Sequence, residues 1–216
     1  MEFGNLLKSV LNAGTSEIPD RDEPLETADT HAVNGRPLKG PYPDHTESIY
    51  FAMGCFWWAE KLFWETPGVW VTAVGYTAGT VANPTYGEVS TDRTSHCEAV
   101  LVVYDPARIS TSDLMRLFWE KHDPTQGMRQ GTDVGTRFRS GIFFTNEEQQ
   151  HAAMESRDLY QMELVAAGLG SITTEIKPAT DFYFAEEQYQ QYLHKQPERL
   201  GETRGTGIVF PVRHNA

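Results

Sequence analysis

The sequence predicts an α+β fold: a ferredoxin-like two-layer sandwich, with helices on one face of a central mixed, largely antiparallel sheet and long irregular N- and C-terminal segments. Three observations carry this. Short apolar runs of strand length are interleaved with amphipathic segments of helical period, in the order strand, helix, strand, strand, helix, strand. The length, 216 residues, suits one domain with appended segments. Hydrophobic residues make up 39% and charged residues 22%, which supports a packed core and excludes global disorder.

Ser48 to Met53 (SIYFAM) is an apolar run of strand length, broken by Gly54. Cys55 to Glu65 then places Phe56, Ala59, Leu62 and Phe63 at helical spacing, and Pro67-Gly68 ends that helix. Val69 to Thr77 is a second strand. Gly, Pro and Asn from Gly79 to Gly87 mark a loop. Ser95 to Tyr104 is a third strand, closed by Asp105-Pro106. Ser110 or Thr111 can cap a helix through Lys121, with Leu114, Leu117 and Phe118 inside. A polar, Gly-rich loop from Asp123 to Thr136 leads to a strand over Arg139 to Phe144. Thr145-Asn146-Glu147-Glu148 has capping-box spacing and opens a long helix to about Ala167. A strand near Thr173 to Lys177 and a short aromatic helix from Glu186 to His194 complete the pattern.

Three regions follow: an extended arm (1–47) dotted with Pro19, Pro24, Pro37, Pro41 and Pro43, a regular α+β domain (48–195), and a Gly-rich tail (196–216). Met1 to Gly14 holds one weak apolar run broken by Lys8. It lacks a secretory pattern, and no stretch reaches membrane-span length, so the expected setting is the cytoplasm and no membrane partner is expected. The formal charge of −12 argues against a nucleic-acid partner, which needs a basic face.

Only two cysteines occur, Cys55 and Cys97. Two thiols cannot make a disulfide-stapled scaffold or a four-thiolate zinc site. Cys55 falls where a strand hands over to a helix. Unpaired N–H groups and the positive dipole end there favour a thiolate, with a pKa near or below ~7 against ~8.5 unperturbed. The alternative is a small buried hydrophobe in an aromatic core. On the third strand, His96 and Glu98 share one face and Cys97 takes the other. A carboxyl among apolar neighbours must be solvated, paired or protonated. To act as a proton donor at pH 7, Glu98 needs about 4 kcal/mol of bias toward its neutral form, which burial can supply.

The run Gly54-Cys55-Phe56-Trp57 resembles the active-site motif of the peptide methionine sulfoxide reductase A family. Val74-Gly75-Tyr76-Thr77, Asn83-Pro84-Thr85-Tyr86, His96 to Val100, Phe118 to Pro124 and Gly131 to Thr136 agree in order and spacing, as do Tyr104-Asp105-Pro106 and Gln190 to Leu193. The resemblance implies reduction of methionine S-sulfoxide, free or in proteins, and hence repair of oxidised proteins. It implies Cys55 as nucleophile, Glu98 as the acid at the leaving oxygen, and Tyr86 as a donor to that oxygen. It implies Phe56 and Trp57 around the S-methyl group, and Asp133 ordering the network. The product on Cys55 would be a sulfenic acid. No bound cofactor or metal is implied, and a monomer is expected.

Two departures from the family pattern stand out. Phe138 occupies a substrate-site position usually held by tyrosine, so Tyr86 and Glu98 are left to hold the oxygen. The tail from Gly201 to Phe210 keeps its glycines but has no resolving cysteine. Cys97 faces away by strand alternation, so an external thiol is expected to reduce Cys55: thioredoxin, or glutathione with glutaredoxin. Two rival readings are a cysteine hydrolase using Cys55 with His96 or His122 and Asp123 or Asp133, and a peptide-binding module without chemistry. A zinc site from Cys55, Cys97 and His96 has poor spacing.

Overall fold

A computed structural model of the chain describes residues 18–199 and 205–211. The apolar run in residues 1–14 and positions 201–204 of the tail lie outside the described residues. The elements are β1 (Glu47–Met53), α1 (Phe56–Trp64), β2 (Val69–Thr77), α2 (Tyr86–Val89), β3 (Cys97–Tyr104), α3 (Thr111–Lys121), β4 (Arg129–Gln130), β5 (Asp133–Val134), β6 (Ser140–Phe144), α4 (Glu147–Ala166), β7 (Glu175–Pro178), β8 (Phe182–Phe184) and α5 (Tyr192–Lys195). Short 3₁₀ turns cover Thr136–Phe138, Glu187–Tyr189 and Pro197–Arg199.

Six strands form one sheet in the order β7-β6-β1-β3-β2-β8, while β4 and β5 form a separate two-stranded hairpin. Every pairing in the large sheet is antiparallel except β6 with β7, which is parallel. The expected mixed, largely antiparallel sheet is therefore present. Strand β3 lies near its centre, and all eight of its residues are buried.

The helices cover one face. Ile49, Phe51, Val74, Val100, Val102 and Ile142 pack there against Phe63 of α1, Leu114 and Phe118 of α3, and Ala153 and Leu164 of α4. Phe51 stands 5.0 Å from Phe63 and 5.4 Å from Phe118, ring centre to ring centre, so one side chain joins β1 to two helices. The opposite face carries Val71, Ala73, Leu101 and Val103, and the N-terminal arm covers them with Leu38, Ala28 and Tyr42. Leu38 is fully buried. The arm is thus an integral cover of the sheet.

Local chemistry explains most boundaries. The Ser110 side chain accepts from Asp113 N–H and caps α3. For α4 the cap is one residue later than the expected Thr145 box: Asn146 accepts from Gln149 N–H. Thr145 is engaged elsewhere, its hydroxyl donating to the Ser48 carbonyl at 2.8 Å on β1. The single aromatic helix expected over Glu186 to His194 is instead a 3₁₀ turn and the four-residue α5. The break falls at Gln190 and Gln191. The Gln190 amide accepts from Val74 N–H at 2.9 Å and donates to the Val74 and Ala185 carbonyls at 2.8 and 2.9 Å. These tertiary bonds outcompete helix continuation, and Gln191 takes a left-handed conformation, φ 48°. The loop from Asp123 to Thr136 contains the β4–β5 hairpin, and Phe182–Phe184 adds an edge strand to β2 that local periodicity does not reveal.

Candidate active site

Cys55 is the N-cap residue of α1, directly after Gly54 at φ 87°. Its side chain makes no cap hydrogen bond, leaving the half-buried thiol available. A Cβ on Gly54 would lie 2.6 Å from Gln130 Cβ, so only glycine lets the strand turn into the helix beneath the β4–β5 hairpin. Gln130 is itself pinned, accepting from Asp123 N–H at 3.1 Å and donating to the Asp123 carbonyl at 2.9 Å. Gly54→Ala is expected to displace Cys55 or the hairpin. It should lower turnover at least tenfold and lower the melting temperature, as measured by sulfoxide reduction and thermal unfolding.

Glu98 is 1% exposed on the central strand β3. It pairs with Tyr76 across β2, and Tyr76 belongs to the helix-side core, so the carboxyl faces α1. Its Oε2 accepts from Phe56 N–H at 3.0 Å, one of the otherwise unpaired donors of the first helical turn. Its Oε1 is buried without a hydrogen-bond partner. Burial raises the Glu98 pKa to about 8, against the lowering effects of the Phe56 amide and of Arg137. The carboxyl is accordingly protonated at neutral pH, although on a central strand rather than the solvated edge that a lone carboxylate usually takes.

Burial also pushes the Cys55 thiol up, and charge on Glu98 pushes it further, while the Trp57 amide opposes both. This corrects the expectation of a depressed, helix-start thiolate. Desolvation in the aromatic pocket outweighs the helix terminus, whose first amide is directed at Glu98. The Glu98 contribution vanishes when that carboxyl is neutral. The resting pair is therefore a thiol beside a carboxylic acid, with both protons in place.

Aromatic rings enclose this pair. Phe56 lies 5.9 Å from Tyr76 and 6.4 Å from both Tyr86 and Tyr189. Tyr86 packs at 4.4 Å on Tyr189, and Trp57 stacks at 4.0 Å on Tyr192. Tyr86 opens α2, where the Thr85 side chain accepts from Glu88 N–H in a capping box. Glu186 fixes it further, accepting from Tyr86 N–H at 2.9 Å and from the Tyr76 hydroxyl at 3.0 Å. Arg21 of the arm grips Glu88 through two bonds of 2.5 and 2.7 Å. Burial and the Glu98 charge raise the Tyr86 pKa to about 12, so its hydroxyl remains a donor.

Asp133 is exposed on β5 and acts by charge, raising both Glu98 and Cys55. Phe138 is 7% exposed, with the Arg137 guanidinium 4.2 Å above its ring. Cys97 is fully buried with Ala52, Ala99 and Phe143 on the arm-side face, its thiol 3.5 Å from the Thr77 carbonyl. The sheet separates it from Cys55, as alternation along β3 requires. His96 Nε2 meets the Val81 carbonyl at 2.7 Å. His122 is held between the Phe118 carbonyl at 2.6 Å and Ser140 Oγ at 2.7 Å, and burial lowers its pKa to about 4. Neither ring is arranged as a base for Cys55, which removes the support for a cysteine hydrolase. Among the described residues, no group of three His, Cys, Asp or Glu side chains could hold a metal ion.

A family model for peptide methionine sulfoxide reductase matches residues 47–207, from β1 to the tail. The chain belongs to the peptide methionine sulfoxide reductase family. It is an oxidoreductase of that class. Peptide methionine sulfoxide reductase MsrA 1 of Caulobacter vibrioides is 56% identical over 195 residues, covering 90% of each chain. MsrA of Agrobacterium fabrum is 56% identical over 202 residues, covering 93% of this chain and 94% of its own. Methionine sulfoxide reductase A of Corynebacterium diphtheriae superposes with a TM-score of 0.80 at 45% identity, covering 88% of this chain and 95% of that one.

Sequence reasoning singled out neither Arg137, Tyr189, Tyr192 nor Glu186. Arg137 Nε is buried without a hydrogen-bond partner, 3.9 Å from Glu98 Oε1. Its place directly before the atypical Phe138 was the one available signal. The tyrosines and Glu186 belong to the stretch read as one regular helix; its interruption sets Tyr189 on Phe56, Tyr192 on Trp57, and Glu186 on Tyr76 and Tyr86.

Proposed function

We propose that this reductase acts on the S epimer of methionine sulfoxide, free and in proteins, through Cys55, and so repairs oxidised proteins. The observation that carries this is the free Cys55 thiol beside Glu98, a buried acid with one oxygen unpartnered. In this reading Cys55 Sγ attacks the sulfoxide sulfur and its proton passes to Glu98. Glu98 delivers its own proton to the sulfoxide oxygen, assisted by a hydrogen bond from Tyr86. The hydroxyl so formed passes from the substrate sulfur to Cys55 Sγ as the S–O bond and the transient S–S bond break, leaving a sulfenic acid on Cys55. Methionine leaves as the thioether: sulfoxide plus thiol become thioether plus sulfenic acid, a two-electron exchange. Phe56 and Trp57, with Phe138 nearby, form the apolar wall for the S-methyl group, and fixing that methyl selects the epimer. Asp133 tunes the pair by charge.

An external dithiol or thiol, thioredoxin or glutathione with glutaredoxin, then reduces the sulfenic acid. The absence of cysteine from the tail and the burial of Cys97 across the sheet support this. The same reading assigns residues 48–195 as the catalytic unit with a ferredoxin-like core, supported by the strand order β6-β1-β3-β2. It takes the arm (1–47) and the tail (196–216) as segments outside that unit, the arm covering one face of its sheet, and the working form as a cytoplasmic monomer.

Turnover of both epimers with dithiothreitol, glutathione plus glutaredoxin, and thioredoxin in parallel tests the substrate and the reductant. Turnover of the S epimer is expected, and activity on the R epimer alone overturns the reading. Excess sulfoxide without reductant should consume one thiol and leave a dimedone-reactive sulfur. Loss of both thiols to a disulfide would rule out the single-cysteine route.

A further inference from the structure

We propose that Arg137 is a catalytic residue, donating from Nε to the sulfoxide oxygen opposite Glu98 and supplying the second donor that Phe138 cannot. The inference rests on the sulfoxide reading above and adds a residue to it. Two buried polar atoms face each other here with no hydrogen-bond partner: Glu98 Oε1 and Arg137 Nε. Their separation of 3.9 Å is too long for a direct hydrogen bond. An oxygen lying off the line between them can stand about 2.8 Å from each, at normal hydrogen-bond length. Leaving both atoms unsatisfied costs stability, so a structural ion pair would close this gap. Held open, it matches an oxygen that arrives with the substrate.

The rest of Arg137 is built to hold Nε in place. One terminal nitrogen bonds Asp92 Oδ1 at 3.3 Å and the Ser90 carbonyl at 3.2 Å. Asp92 is held in turn by the Thr136 hydroxyl at 3.2 Å. Gly135, at φ 143°, permits this approach, since a Cβ there would lie 2.5 Å from Asp92 Oδ2 and 3.0 Å from Arg137 Nη1. The guanidinium plane rests on the Phe138 ring at 4.2 Å. Anchoring thus uses a terminal nitrogen and the π-face, and the remaining buried donor points into the gap beside Glu98.

Arg137 donates a hydrogen bond to the oxygen while Glu98 delivers its proton, and its charge offsets the negative charge that develops on Glu98 until the Cys55 proton replaces the one given up. The groups charged or titrating around Glu98 are Cys55, Tyr76, Tyr86, Asp133, Arg137 and Tyr189. Arg137 is the only cation among them.

The test uses the full chain with S-sulfoxide and saturating dithiothreitol, comparing the parent, Arg137→Met, Arg137→Gln and Phe138→Tyr, and Phe138→Tyr combined with each arginine variant. Loss of one oxyanion donor predicts a drop of about 10²–10³-fold in kcat for Arg137→Met, and loss of the charge a smaller drop of at least about tenfold for Arg137→Gln, whose neutral amide can still reach the oxygen. Adding Phe138→Tyr should recover at least tenfold of it. The alkaline limb of the pH profile should move to higher pH in both arginine variants, because the charge that holds Glu98 down is gone. A merely structural arginine would shift the melting temperature and, through its charge, that limb, but the lost turnover would not be rescued by a tyrosine. If Arg137→Met does not fold, Arg137→Gln carries the test, since it stays polar but lacks the charge, so kcat should still fall and the alkaline limb should still move. A parent that turns over while both arginine variants match it overturns this inference alone. A parent without turnover overturns the functional reading and this inference together.

Discussion

Cys55→Ser should abolish sulfoxide reduction with every reductant while leaving the fold intact. A serine hydroxyl is a far weaker nucleophile toward sulfur and cannot store the transferred oxygen as a sulfenic acid. Cys55 makes no side-chain cap bond, and the one backbone donor acting on its sulfur, the Trp57 amide, can also bond a serine oxygen, so serine could add a cap. Turnover at background level, with an unchanged or slightly raised melting temperature, is the expected pair of results. Residual turnover above about a hundredth of the parent would show that Cys55 is not the sole nucleophile; the general acid–base part of the site is worth only ~10²–10⁴. Cys97→Ser should leave turnover close to that of the parent, because that thiol is buried on the arm-side face.

Glu98→Gln should lower kcat by about 10²–10⁴-fold, the usual worth of a positioned proton donor. The amide is nearly isosteric. Its oxygen can keep the bond from Phe56 N–H, so the loss isolates the proton. In the parent, activity should fall as pH rises through about 8, the pKa to which burial raises Glu98. That limb should be missing in the variant. Stability supplies an independent readout. A carboxyl whose folded pKa is raised binds its proton more tightly in the folded than in the unfolded state, so unfolding releases protons. Folding stability therefore declines as pH climbs from about 4.5 toward 8. Glu98→Gln removes that contribution, and its melting temperature should lose less than the parent's over this interval. Glu60 adds to the same slope: it is fully buried on α1, and burial raises its pKa to about 7 against bonds from Thr72 and Gln191. Some pH dependence should accordingly persist in the variant, and a wholly unchanged slope would argue against the raised Glu98.

The parts of the fold written in local chemistry were legible in the chain. Val69–Thr77 is a β-rich apolar run and forms β2 with those bounds; Ser110 is a capping residue at a helical start and caps α3. The parts that depend on distant partners were not. Nothing local at Gln190 and Gln191 reveals the bonds to Val74, Ala185 and Glu60 that break the expected aromatic helix. The arm lacks periodicity because it is a cover: its Leu38 is buried by the sheet face rather than by its own neighbours.

By itself, the sequence determined the chemistry available. It set a cysteine after a glycine at a strand-to-helix turn, a carboxyl on a strand whose alternation turns the adjacent Cys97 to the other face, and a tail without resolving cysteines. These follow from covalent order and from the two-residue period of a strand, which need no tertiary contacts. Tertiary structure alone decided how those groups are charged and what stands opposite them. Burying Glu98 on the central strand makes it an acid at neutral pH, and the same desolvation turns the expected thiolate into a thiol. The hairpin and the turn that follows it bring Arg137 to within 3.9 Å of Glu98, 39 positions away along the chain. Desolvation and Coulomb interaction depend on which atoms surround a charge in space, and no spacing along the chain encodes that.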